Sequence, residues 1–328
     1  MANKGILVVA VSSRGVLPAA TYELITAGRR LADALKEPLA AVVLSEKASA
    51  LAPDLAARGV DKVFCVESPA LAGFVAETHA KAAAQVALSG GYGRVLLASN
   101  VAGRALAARL AVALKAGLAA DVSEILPDGK VLRPYYSGNL VAEVQFKTPV
   151  AVMTLAPMSY PRAEKTGAAA PIETVAFDPG TAKTQFVSFT AEAAGEIDMG
   201  AAERIVSGGR GLGSAEGFKP VFELAHAIGA AVGASRAAVD SGWIAYKYQV
   251  GLTGRAVRPK LYMAVGISGQ IQHLAGMSSA GTIVAINTDK DCPMMQLASV
   301  SVQGDYAELI PAITAEIKKR KGSAAVAA

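Results

Sequence analysis

Residues 231–277 read AVGASRAAVDSGWIAYKYQVGLTGRAVRPKLYMAVGISGQIQHLAGM. Three glycine-hinged turns, three arginines and a single histidine fall within this one stretch. Two of the turns follow short apolar runs, AAVG at 230–233 and LYMAVGIS at 261–268. Such runs read as strands, so each polar cluster is expected at a strand's mouth, where open α/β sheets hold nucleotides.

Outward from this segment, the second half alternates strand and helix. RIVSGG precedes it at 204–209, with a helix over 214–228. Within it a helix starts at Ser235, and after it come TIVAIN at 282–287 and a last helix over 305–319. The first half alternates too: GILVVAV at 5–11, a helix over 21–35, PLAAVVL at 38–44, KVFCVE at 62–67, a helix around 69–89, RVLLAS at 94–99 and a helix from Gly103. Alternation of this kind builds parallel sheets with helical crossovers. After Leu126 the texture shifts to short runs between turn signals, PDGK at 127–130 and YSGN at 136–139, which predict antiparallel strands. A polar, Pro- and Ala-containing stretch at 160–183 reads as connection, and the domain boundary is placed near Glu196. The expected fold is α/β in two domains, each a mostly parallel sheet with flanking helices, the second doubly wound. The expected ranges are 1–196, 197–319 and a flexible tail over 320–328.

Composition agrees with that class. The chain has 328 residues, enough for two cores, and it is 52% hydrophobic but only 5% aromatic. The excess of alanine and valine suits helices packed closely on buried parallel strands. A net charge of +5 argues weakly for nucleic acid, because lysine and arginine are scattered and aromatics do not interleave with them. The one basic run, Lys318–Lys321, reads as a solvated end. No apolar stretch reaches the roughly 18 residues of a transmembrane helix. MANKGILVVAVSSRG lacks a small-residue cleavage site and reads as a first strand. Cys65 and Cys292 lie far apart in apolar surroundings and read as structural thiols of a reducing, cytoplasmic compartment. Three histidines with no pair at ligand spacing give a metal centre little to build on.

Four elements carry candidate chemistry. Ser207-Gly208-Gly209-Arg210-Gly211-Leu212-Gly213 joins a strand to a helix. Its glycines let backbone amides approach an anion, and Arg210 offers a planar fork for phosphate; close packing alone also calls for such glycines. Ser235 stands as a helix N-cap with Arg236 at the first helical position. A cation is unfavourable at that positive end unless it serves an anion, a ligand or a partner within the fold. In Gln249-Val250-Gly251-Leu252-Thr253-Gly254 two glycines flank a hydroxyl, as in any tight loop. Ser268-Gly269-Gln270-Ile271-Gln272-His273 follows a strand. There Ser268 is placed to cap a short helix whose amides face a pyrophosphate, with His273 one turn deeper. Taken together, the four favour a dinucleotide over a single phosphate.

The segments GGRG, GASRAAVDSG, QVGLTG, LYMAVGISGQIQHLAGM and TIVAIN, in this order and spacing, resemble the FAD-binding domain of the alpha subunit of electron transfer flavoprotein. The resemblance is most specific over 203–319. It continues through the first domain in SNVAGRALAARLAVALKAGLAADV at 99–122 and RPYYSGN at 133–139. It implies a heterodimer with a beta subunit and FAD held mainly by the second domain. It further implies electron traffic from dehydrogenases, such as the acyl-CoA dehydrogenases of fatty acid oxidation, to a quinone oxidoreductase, with no catalytic residue and no substrate turnover of the chain's own. Position by position, it implies that Arg210, Ser235 and Arg236 contact the cofactor, with Val250, Gly251, Leu252 and Thr253, and with Ser268, Gly269, Gln270, Ile271, Gln272 and His273. Asn287 falls on the ribose or adenine side, as do Asp305 and Tyr306 at the start of the last helix.

Two positions depart from the family pattern: Leu252 stands where the loop commonly has a second glutamine, and Ala105 removes a carboxylate from GRAL at 103–106. Flavin reduction places negative charge on the N1/O2 edge, so a cation or donor there, from His273 or Arg236, raises the potential. Thr253 is expected near N5. Two other classes compete: a flavin-, NAD- or thiamine-linked enzyme, and a non-redox nucleotide-binding subunit.

Overall fold

The computed structural model describes residues 3–138, 140–190, 197–200 and 202–326. The chain divides into two compact units, the first Met1–Tyr135 with Val141–Thr190, the second Tyr136–Leu140 with Ala191–Ala328. The boundary expected near Glu196 falls outside the described residues.

In the first unit, runs without polar alternation become central strands, as burial on both faces requires. β1 (Ile6–Val11) and β2 (Leu39–Ser45) are buried almost throughout and are joined by α1 (Ala19–Leu35). The alternation continues with α2 (Ala48–Ala56), β3 (Lys62–Glu67), α3 (Ala76–Ser89), β4 (Arg94–Ala98), α4 (Val101–Ala113) and β5 (Gly117–Val122). Then come β6 (Glu124–Ile125), β7 (Val131–Tyr135) and β8 (Leu140–Val144), which form a small separate sheet in which β6 and β7 are antiparallel. The turn at PDGK predicted that pairing. β9 (Ala151–Leu155) and β10 (Ile172–Thr174) return to the main sheet, whose order is β10-β3-β2-β1-β4-β9-β5 and whose pairings are all parallel. One core, with Leu24, Ile25 and Leu55, lies on one face; a second, with Ala83, Leu106 and Leu110, lies on the other.

Three elements here depart from the sequence reading. The stretch 160–183 is not connection throughout, since Ile172–Thr174 adds an edge strand parallel to β3. Three exposed residues are too short a run for periodicity to show. After Leu126 not every strand is antiparallel: AVMTL at 151–155 pairs with both β4 and β5 in the parallel sheet. α2 went unread because Pro53 lies inside it.

The second unit opens with β11 (Arg204–Gly208), α5 (Phe218–Ile228), β12 (Ala231–Ala234) and α6 (Arg236–Asp240). It continues with β13 (Leu261–Val265), α7 (Ile271–Leu274), β14 (Thr282–Asn287), α8 (Pro293–Leu297), β15 (Val300–Gln303) and α9 (Tyr306–Val326). The strands run β12-β11-β13-β14-β15, parallel at every pairing, with separate cores on the two faces. The order reverses between β11 and β13, so a crevice opens at their C-terminal ends, the topological switch point of a doubly wound sheet.

Two helix limits are corrected. The helix expected from Ser214 begins at Phe218, because Arg210–Leu212 closes a 3-10 turn and Gly213 takes a φ of 76°. The last helix does not stop at Lys319 but runs to Val326, through an alanine-rich segment of high helix propensity. Residues 327–328 of the expected tail lie outside the described residues.

Candidate functional site

Every residue that the sequence offered as a cofactor contact lies in the second unit, on the loops and element ends that follow its strands. The first turn packs directly on the third strand's turn. Gly209 and Gly211 donate their amides to the carbonyls of Val265 and Gly266 at 2.8 and 3.0 Å. A Cβ on Gly209 would lie 2.2 Å from the Gly266 oxygen. These two glycines therefore permit backbone-to-backbone packing, and their amides are already used. Arg210 between them is exposed; its carbonyl accepts from the Gly213 amide, while its guanidinium forms no hydrogen bond or ion pair among the described residues. Tyr306, at the start of α9, donates its hydroxyl to the Leu212 carbonyl at 2.8 Å and so fixes the turn from the other side. Asp305 accepts from the Ala307 amide with its carboxylate, which begins the helix.

Ser235 caps α6 as expected, its Oγ accepting from the Ala238 amide at 3.4 Å. Its own amide donates to Gly208, which ties the β12 end to β11. Arg236 finds a partner within the fold: Nε lies 3.2 Å from the Asp240 carboxylate one turn on. Both side chains are more than 60% exposed. Such a pair contributes about 0.5 kcal/mol or less, so the guanidinium remains available to an anion.

The loop after α6 joins these parts. The Val250 amide donates to Ala234 at the end of β12, and the Leu252 amide to Gln272 on α7. Gly251, at a φ of 142°, lies against the Gln272 carbonyl, where a Cβ would approach to 2.7 Å. The Thr253 hydroxyl accepts from Nε2 of Gln249 at 2.9 Å, and its carbonyl accepts from the Tyr246 hydroxyl. Gln249 is buried and holds Thr253 in place, a role the sequence reading missed. Leu252 and Ile271 expose large apolar side chains on the same rim, at 69% each.

After β13 the amides of Ser268, Gly269 and Gln270 form no hydrogen bond among the described residues. Ser268 is not the helix cap. Gln270 holds that position without a side-chain bond, while the Ser268 carbonyl accepts from Met294. The reason lies in the backbone: Gly269 takes a left-handed φ of 86°, outside the helical region, so the helix begins only at Ile271, and a Cβ there would lie 2.4 Å from the Met294 nitrogen. Asn287 donates from Nδ2 to the Ile267 carbonyl and accepts the Asp289 amide, so its side chain braces this loop from β14.

His273 departs most from expectation. It is buried, its Nε2 lies 2.9 Å from the Tyr262 hydroxyl, and Nδ1 has no partner in hydrogen-bond geometry among the described residues. Burial pushes the imidazole down to about 4, with the Val250 carbonyl offsetting part of that penalty without reaching hydrogen-bond geometry. At neutral pH His273 is therefore neutral, so of the two roles the sequence left open, cation or donor, only the uncharged donor is compatible with its burial. Burial also raises the Tyr262 phenol far above its ordinary range, so it stays protonated. Ser207 lies toward that phenol, yet its buried hydroxyl is likewise without a partner in hydrogen-bond geometry. A buried polar group left so costs about 1–3 kcal/mol, which is sustained where a ligand completes it.

The residues present fit a dinucleotide: two exposed guanidiniums, three consecutive free amides, an exposed apolar pair and an orphaned buried donor. Tyr262 and Ser207 escaped the sequence reading as site residues, since a lone tyrosine or serine in an apolar strand carries no periodic signal. By contrast, a hollow of about 350 Å³ in the first unit, lined by Arg30, Ser123, Glu124 and Tyr160 among others, includes none of the candidate residues.

Residues 6–179 match the family described as the electron transfer flavoprotein domain, and residues 198–278 the electron transfer flavoprotein FAD-binding domain. Electron transfer flavoprotein subunit alpha of Thermoanaerobacterium thermosaccharolyticum is 39% identical over 328 residues, covering 97% of this chain and 99% of that one. The subunit of the same name from Paracoccus denitrificans is 41% identical over 263 residues, 79% and 83% of the two chains. Protein FixB of Clostridium saccharobutylicum is 35% identical over 324 residues, 96% and 97%. Asn287, Asp305 and Tyr306 lie beyond the segment matched to the FAD-binding domain.

Proposed function

The chain belongs to the electron transfer flavoprotein alpha-subunit family and carries that family's FAD-binding domain, and from this we propose that it works as the alpha subunit of a heterodimeric electron carrier in the cytoplasm. It pairs with a beta subunit, accepts electrons from dehydrogenases such as acyl-CoA dehydrogenases, and passes them to a quinone oxidoreductase without substrate turnover of its own.

The observation that supports this reading is that Arg210, Arg236 and the free amides of 268–270 follow the C-terminal ends of three neighbouring parallel strands, β11, β12 and β13. FAD, when bound, supplies the capacity to take up electrons singly or in pairs. The chain's residues bind and orient it. Arg210 and the free amides counter phosphate charge, as backbone amides and guanidiniums do at nucleotide crevices. Arg236 brings a positive charge paired, among the described residues, with the exposed Asp240 carboxylate. Leu252 and Ile271 lose exposed apolar area under a ring system, at about 25 cal/mol per Å² covered. Ser235, Thr253, Asn287, Asp305 and Tyr306 hold the loops that present these groups.

The test is anaerobic. The chain co-purified with its beta subunit is mixed with an acyl-CoA dehydrogenase and an acyl-CoA. Bleaching of its flavin band through catalytic amounts of dehydrogenase is expected; a flavin band that persists while the dehydrogenase is reduced sinks the carrier role.

A further inference from the structure

The hollow of about 350 Å³ in the first unit is lined from α1, from β6 and its following turn, and from the segment after β9. Its size is at the small end of the range for sites that hold small molecules. Leu31, Ile125, Leu126 and Pro127 give it an apolar lining, to which Arg30, Glu124 and Tyr160 add two charges and a phenol. The charges are of opposite sign, yet neither Arg30 nor Glu124 forms an ion pair or a side-chain hydrogen bond among the described residues. Arg29, one position earlier on α1, is by contrast paired with Asp33 and Asp61 at 2.8 and 3.0 Å. The Arg30 guanidinium lies instead over the Tyr160 ring, 5.6 Å from its centroid.

Tyr160 is buried, and its hydroxyl accepts from the Ile125 amide at 2.7 Å, while its own proton finds no acceptor among the described residues. Burial raises this phenol above its ordinary range, which keeps it a donor at neutral pH; Glu124 and Arg30 act on it in opposite directions, so both charges lie within electrostatic reach of the hydroxyl. Ser123, also in the lining, is committed, its hydroxyl donating to the Leu132 carbonyl at 3.1 Å. A ligand that is only an anion meets repulsion from Glu124, and one that is only a cation meets it from Arg30. A zwitterion satisfies both. We propose that this hollow binds a free α-amino acid with an apolar side chain: its carboxylate accepts from the Arg30 guanidinium and the Tyr160 hydroxyl, and its ammonium donates to Glu124. The side chain covers the apolar lining, and the charge-assisted bonds at either end select the class.

The test is calorimetric titration of the chain, co-purified with its beta subunit, with L-leucine. Two analogues serve as controls: 4-methylpentanoate, which lacks the ammonium, and 3-methylbutylamine, which lacks the carboxylate. Leucine is expected to bind saturably and both analogues about tenfold more weakly or worse. Arg30→Gln and Glu124→Gln are each expected to weaken leucine about tenfold or more, and Tyr160→Phe about threefold to tenfold. Arg30 and Glu124 are exposed, so these two variants keep the fold and decide the matter even if Tyr160→Phe does not. Absence of saturable leucine binding overturns the proposal, as does binding indifferent to both charge variants. An equal affinity for 4-methylpentanoate overturns the zwitterion as the class. The hollow shares no residue with the candidate FAD contacts, so flavin content is expected to be unchanged in the two charge variants, and failure here is distinct from failure of the FAD-binding reading.

Discussion

Burial holds the His273 imidazole at about 4, against an ordinary value near 6.5, so over that interval the unfolded chain binds a proton that the fold refuses. The stabilisation is complete above about pH 6.5 and is lost as pH falls toward 4, on the order of 3 kcal/mol in all. His79 is shifted down by burial as well and adds a slope of the same sign. Urea unfolding followed by the single tryptophan, Trp243 in the second unit, should therefore show stability falling between those pH values, with a shallower fall in His273→Asn. An equal slope in both proteins would mean that His273 titrates normally. Arg236→Ala loses only a weak pair with Asp240, so the fold should be unaffected while the flavin midpoint potential falls by about 30 mV, the equivalent of about 1.4 kcal/mol in a two-electron couple. Redox titration checks this, and an unchanged potential removes Arg236 from the flavin. Ser235 was legible as a cap because a hydroxyl before a helical run has one common use. His273 was legible as a donor but not in charge, since one-dimensional sequence carries no measure of burial.

The glycine-rich turn after β11 was read as open to both an anion and close packing, and the backbone separates the two. With its amides given to Val265 and Gly266, Gly209 is a packing glycine whose absent Cβ lets two turns touch. Gly209→Ala should destabilise the second unit by about 1–3 kcal/mol even without cofactor, as overpacking does. Equal unfolding midpoints for native and variant apoprotein, with FAD affinity alone reduced, would instead favour direct contact with the ligand. Elements with strong local signals were visible in the sequence: KVFCVE and TIVAIN are strands with the limits read for them. β9 and β10 were not, because one is placed by neighbours distant in sequence and the other is an exposed edge of three residues. The extension of α9 to Val326 follows from local propensity that a basic, polar appearance concealed.

Across the molecule, two α/β units share one chain, and the candidate contacts concentrate in the second, at the reversal of its strand order. A doubly wound sheet brings the ends of β11, β12, β13 and β14 to one rim, which is why residues from Arg210 to Tyr306 meet there although nearly a hundred positions separate them. The order of motifs made that gathering legible; the strand order itself was not, since register and neighbour choice are decided by packing over the whole unit. The most direct check is the flavin content of the chain purified with its beta subunit, read from the absorbance spectrum and from the nucleotide released on denaturation. FAD should be present, bleach on reduction, and fall sharply in occupancy when Arg210 and Arg236 of this chain are both replaced by alanine. A colourless native protein, or FAD occupancy indifferent to that double replacement, would show that the rim described here is not where the cofactor is held.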